Sequence, residues 1–172
     1  HGFGSSWVIP ETGILLNNRL TGFSLDPHSP NIIAPGKRPA HTLNAFTAVH
    51  PDGSLYLVGG TPGANIQVQS NLQLLINVID LKMNVQEATE APRWQHLNAA
   101  GQSSEEEKGA GVLEIENRVS AEVLEQLRAK GHEVKALSAW GHGSSVQMME
   151  VLANGTFAFG SDPRCEGQAC GI

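Results

Sequence analysis

Residues 55–80 read LYLVGGTPGANIQVQSNLQLLINVID, and the rest of the chain is organised around them. Leu55, Tyr56, Leu57 and Val58 form an apolar run of strand formers, which Gly59-Gly60-Thr61-Pro62-Gly63 then interrupts. Beyond the glycines, Ile66, Leu72, Leu75, Ile76 and Ile79 recur at spacings close to 3.6, which predicts a helix with one apolar face. Thr61 suits the N-cap of that helix and Pro62 its first position, where a missing N–H costs nothing. A buried strand thus feeds a glycine turn that opens into a helix N-terminus. Such a turn gathers unpartnered backbone N–H groups and the positive end of the helix dipole at one spot, which suits an anion. The anion is either a phosphate or the oxyanion of an acyl-transfer intermediate. GGTPGA is neither a P-loop, lacking Gly-Lys-Ser/Thr, nor a GxGxxG dinucleotide fingerprint. A plain strand-to-helix connector accounts for the same residues, so the turn alone leaves its ligand open.

The composition is that of a globular chain. Its 172 residues are enough for one domain with a real core, and 40% hydrophobic against 16% charged residues is ordinary for such a domain. The formal net charge of −6 argues against nucleic acid or an anionic membrane surface as partner. No stretch reaches the roughly 18 apolar residues of a membrane span. No signal peptide is visible, and His1-Gly2-Phe3-Gly4 leads straight into Trp7-Val8-Ile9, which suggests a processed or trimmed polypeptide. Cys165 and Cys170 are two unrelated thiols or a small disulfide loop, and two cysteines alone make a poor metal site.

Outward from the central stretch, residues 12–18 read as a short buried strand. Four prolines between residues 24 and 39 predict a long ordered loop. Residues 42–50 form a strand joined through Pro51-Asp52-Gly53 to the strand at Leu55, which predicts an antiparallel pair. Asn84 and Glu87 fit a capping box, and Pro92 ends that helix. Residues 99–111 are polar and glycine-flanked and read as a mobile loop. Residues 112–116 alternate like an exposed or edge strand. Ser120 caps a helix that Gly131 stops, residues 133–137 form a strand, and Asn154-Gly155 turns a final hairpin. The sum is an α+β layered domain covering residues 1–172.

Several motifs occur in one order: GILLNN at 13–18, Phe23-Ser24, PGKRP at 35–39, VGGTPGAN at 58–65, NVID at 77–80, APRW at 91–94 and SDPR at 161–164. In these the chain resembles, over essentially its whole length, the C-terminal small subunit of the γ-glutamyltranspeptidase family. The resemblance implies part of the αββα four-layer sandwich of N-terminal-nucleophile hydrolases, in which self-cleavage of a precursor exposes a threonine. That threonine's side chain attacks the amide and its own amine acts as base. It would fall about twenty residues before His1, so the partner implied is the upstream large-subunit segment of the same precursor, with a small amide as substrate. No metal or organic cofactor is implied.

Carried over by position, the family's oxyanion-hole glycine pair falls on Gly63 and Ala64, where alanine keeps its backbone donor. The serine pair that holds the substrate α-carboxylate falls on His41 and Thr42. Thr42 retains a hydroxyl donor, and His41 adds an imidazole. The glutamine and aspartate near the substrate α-amino group are replaced by Arg19 and Gly22. The family asparagine that touches the same group would immediately precede His1. A guanidinium repels an ammonium, so these exchanges point to a divergent branch. Three readings follow. One is a true γ-glutamyl transferase acting on glutathione. Another is an acylase for des-amino dicarboxylic acyl amides, glutaryl-type and cephalosporin acylase-like. The last is a non-catalytic homologue that keeps the fold.

Overall fold

A computed structural model describes residues 4–98 and 111–168. The chain divides into two units, residues 1–42 and 43–172, where the sequence reading treats the 172 residues as one domain.

In the first unit, the two-residue strands β1 (Val8–Ile9) and β2 (Ile14–Leu15) pair antiparallel, and a 3₁₀ turn follows at Arg19–Gly22. The buried strand expected over residues 12–18 is only this short ribbon, and Ile14 is 57% exposed. Two residues per strand bury too little side chain to make a core. The proline-rich segment after it is ordered by local bonds, including a bridge between Ser24 and Ile32.

The second unit holds two sheets. The larger is fully antiparallel in the order β3 (Phe46–Val49), β4 (Leu55–Gly60), β8 (Gln147–Val151), β9 (Phe157–Ser161). The hairpins expected at Pro51-Asp52-Gly53 and Asn154-Gly155 are both present. Against one face lie α1 (Ile66–Leu75), the π-helical turn Ile76–Asp80 that continues it, and α2 (Val85–Glu90). The core forms there from Leu57, Leu74, Val78, Val85, Ala88, Val146 and Met148. α2 starts with the predicted capping box, Asn84 Oδ1 accepting from Glu87 N while Glu87 Oε2 accepts from Asn84 N. The smaller sheet is β5 (Trp94–Leu97), β6 (Val112–Glu116), β7 (Glu133–Leu137). Its β6–β7 pair is parallel, crossed over by α3 (Ala121–Ala129), which Ser120 caps as expected.

Two expectations are corrected here. The inward face of α1 is not the apolar row read from the sequence. Leu72, Ile76 and Ile79 are exposed, while Gln67, Ser70, Asn71, Gln73 and Leu74 are buried. Asn71 donates to Asn44 O at 2.7 Å, while Gln73 and the half-buried Gln69 serve the backbone of β5. Gln73 exchanges both amide bonds with Trp94, at 2.8 and 3.1 Å, and Gln69 does the same with His96, at 3.0 and 2.7 Å. β6 is not an edge strand but the centre of its sheet, with Glu114 and Glu116 inside. The mobile loop expected at 99–111 lies, apart from Gly111, outside the described residues.

Candidate functional site

The turn between β4 and α1 carries two consecutive residues in the left-handed half of backbone space, Gly63 at φ 138° and Ala64 at φ 50°. Alanine there costs about 1–2 kcal/mol, a strain typical of functional turns. Glycine at 63 is required twice over, because a Cβ would lie 2.7 Å from Cγ1 of Ile66. The turn's carbonyls are engaged, Gly63 O accepting from Ile66 N and Ala64 O from Gln67 N. Among the described residues no acceptor takes the N–H of Gly63 or Ala64. Successive free N–H groups beside a helix N-terminus make an anion-binding concavity. Thr61 is not the helix cap that the sequence suggests, since α1 begins at Ile66 with Asn65 before it. The Thr61 hydroxyl instead donates to Pro62 O at 2.7 Å and accepts from Ser145 N at 2.9 Å.

Within the first unit, Arg19, Gly22, His41 and Thr42 line one recess of about 270 Å³ together with Asn18, Thr21 and Ala40. Four residues chosen by position from two separated motifs thus meet at one place. Arg19 and His41 are exposed and Thr42 is half-buried. The lining contains no carboxylate, and Arg19 has no acidic partner among the described residues. Gly22 does more than lack a side chain: a Cβ there would sit 2.4 Å from the carbonyl oxygen of Ala40. Asn31, which the sequence reading passed over, ties the two walls together. Its Nδ2 donates to Gly22 O, and its Oδ1 accepts from Ala40 N at 3.1 Å.

A buried charge cluster in the second unit also escaped the sequence reading. Arg93 is ion-paired to Asp162 and donates to Ser144 O and Oγ. Arg164 bridges Asp162 at 2.9 Å and Glu116 at 2.6 Å. Arg118 also reaches Glu116 and stacks 3.6 Å from the ring centre of Trp140. Burial pushes the Glu116 carboxyl up, but Arg164, the Arg93 N–H and Arg118 outweigh it and hold the group at about 2. His142 goes the other way for a base: burial, then the charge of Arg93, lowers it to about 4. It is therefore neutral, with Nδ1 accepting from Ser144 N and facing Ser144 Oγ at 2.7 Å. The signal for this cluster was present in APRW, SDPR and Glu116 of β6, but nothing in a single sequence pairs them.

Cys165 is a free thiol, and Cys170 lies outside the described residues. Among the described residues no group of three or more His, Cys, Asp and Glu side chains is placed to hold a metal ion. No helix among them is long and apolar enough to cross a membrane.

The α+β layout is that of the N-terminal-nucleophile hydrolases. The Gamma-glutamyltranspeptidase family model matches residues 1–172, and the chain belongs to that family. It is 37% identical over 175 residues to the oxamate amidohydrolase proenzyme of Klebsiella pneumoniae, covering 99% of this chain and 31% of that protein. It is 37% identical over 172 residues to the glutathione hydrolase proenzyme of Escherichia coli, covering 94% of this chain and 27% of that one. Its fold matches a cephalosporin acylase from Bacillus halodurans with a TM-score of 0.76 at 31% identity, over 96% of this chain and 29% of the acylase. The chain thus spans less than a third of the length of each.

Proposed function

We propose that this chain is the C-terminal part of an amidohydrolase or acyl transferase that works through a threonyl acyl-enzyme, with the nucleophile in sequence preceding His1. The hydroxyl of that threonine would attack the amide carbonyl, its amine taking the proton. Collapse of the tetrahedral intermediate breaks the C–N bond, the leaving amine takes the proton, and water or an acceptor amine then releases the acyl group. Gly63 and Ala64 would donate their N–H groups to the oxyanion. The observation that carries this reading is the Gly63-Ala64 turn, with two acceptor-free N–H groups held in a strained conformation at a helix N-terminus. No step calls for a metal or organic cofactor.

The acyl group we assign is one that bears a carboxylate and no α-ammonium. Arg19, a guanidinium in a recess without acidic residues, supports this, because it attracts a carboxylate and repels an ammonium. Relatives named for oxamate and cephalosporin accord with this reading, while one named for glutathione, equally identical to this chain at 37%, leaves Arg19 to carry the choice. The upstream segment of the same precursor is the partner we assign, in line with relatives that are proenzymes about three times as long.

The test is to express the complete precursor and the 172-residue chain separately. The precursor should cleave itself to expose an N-terminal threonine and hydrolyse glutaryl anilide faster than γ-glutamyl anilide. The isolated chain should hydrolyse neither. Turnover by the isolated chain would sink the threonyl mechanism. A precursor that neither cleaves itself nor turns over either anilide would favour the non-catalytic homologue.

A further inference from the structure

The loop 141–146 stands on the buried charge cluster. His142 N donates to Glu116 Oε1 at 3.2 Å and Val146 N to Asp162 Oδ2 at 2.8 Å. Between them, Ser144 N donates to His142 Nδ1 at 3.1 Å, and the Ser144 side chain is held by Arg93 at 2.8 Å. Two backbone donors and one side chain of this loop are therefore tied to buried, ion-paired groups, and a third donor to the buried neutral imidazole of His142. A further donor, Ser145 N, leaves the loop and ends on the hydroxyl of Thr61. Thr61 in turn holds Pro62 O, one residue before the strained pair Gly63-Ala64. A Cβ at Gly143 would stand 3.6 Å from Cδ1 of Ile66, so the loop also backs the start of α1.

We propose that Thr61 is a positioning residue, transmitting the rigidity of the Arg93–Glu116–Asp162–Arg164 cluster through Ser145 to the N–H groups of Gly63 and Ala64. The inference rests on the oxyanion reading of that turn. Two left-handed residues in succession do not hold themselves in place, and within the turn only two backbone bonds run forward into α1. The Thr61 hydroxyl supplies the restraint on the strand side. Electrostatic stabilisation of an oxyanion depends on donors fixed before the charge develops, so a loosened turn loses rate rather than substrate affinity. The charge cluster itself touches neither turn N–H and acts through the loop alone.

The experiment uses the complete processed protein with glutaryl and γ-glutamyl anilides as probes, and two readouts. Thr61→Val keeps the shape and deletes the hydroxyl, and Thr61→Ser restores it. With Thr61→Val, kcat should fall by about tenfold or more while KM stays within about threefold. Amide hydrogen exchange at residues 63–66 should quicken by a similar factor. With Thr61→Ser both should return to near wild-type values. Unchanged exchange and kcat in Thr61→Val would overturn the proposal, as would Thr61→Ser being as impaired as Thr61→Val. If wild-type protein turns over neither anilide yet exchange responds to Thr61→Val, the acyl-transfer reading falls and the restraint on the turn stands. Should Thr61→Val not fold, Thr61→Ala carries the same readouts, and failure of both to fold makes Thr61 structural and overturns its positioning role.

Discussion

Lowering the pH should unlock the chain through one buried imidazole, His142, which is 4% exposed. Burial, then the positive field of Arg93, keeps it neutral down to about pH 4, against 6.5 for the free side chain. The unfolded chain takes up a proton below pH 6.5 and the folded one does not. Stability from this group is therefore complete above pH 6.5 and is lost as pH falls from 6.5 to 4. At 1.36 kcal/mol per unit, that window corresponds to about 3 kcal/mol. Glu116 acts in the same direction at lower pH: its folded value of about 2 lies below the ordinary 4.5, so its contribution fades between those values. Urea unfolding followed by tryptophan fluorescence at pH 7, 5.5 and 4.5 separates the two when wild type is compared with His142→Asn. Asparagine offers Oδ1 to Ser144 N as the imidazole offers Nδ1, but does not titrate. The unfolding free energy of wild type should fall relative to the variant by about 1.4 kcal/mol per pH unit below 6.5. Parallel profiles would show that His142 is not held neutral in the fold.

Three further outcomes are expected. Arg19→Gln should shift the kcat/KM ratio toward γ-glutamyl over glutaryl anilide by about tenfold, or 1.4 kcal/mol; adding Gly22→Asp is blocked by the 2.4 Å approach to Ala40 O and should cost folding instead, seen as a lowered thermal midpoint. Gly63→Val should cut the acylation rate by about two to three orders of magnitude in stopped-flow assays, while Ala64→Ser should be nearly silent because the donor there is backbone. Asp162→Asn leaves Arg93 and Arg164 buried without their shared carboxylate and should destabilise the protein by about 3–5 kcal/mol in chemical denaturation.

What was legible in the sequence were elements whose signal is local. The Asn84–Glu87 capping box, the Ser120 cap and both hairpin turns depend on residues within four positions of one another. The inward face of α1 was misread because hydrophobic period assumes an apolar neighbour, whereas this helix packs on the backbone of a strand that needs amide partners. β6 was misread for the same kind of reason. Glu116 looks solvent-facing until Arg164, 48 residues later, is known to reach it. The recess around Arg19 was legible only through motif position, and its closure by Asn31 was not, because nothing in an isolated asparagine says which backbone groups it will span.

The pairing of Gln69 and Gln73 with β5 has a consequence for how the protein fails. An uncovered strand edge is a template onto which another chain can add. Here two side-chain amides, one helical turn apart, occupy four of its hydrogen-bonding positions, as a neighbouring strand would. Hydrolysis of either amide to a carboxylate removes the donor to Trp94 O or His96 O and leaves only an acceptor. Slow deamidation at residues 69 and 73 would then reopen the edge while the core stays intact. Such ageing would first be seen as self-association of folded molecules, well before any loss of helix or sheet.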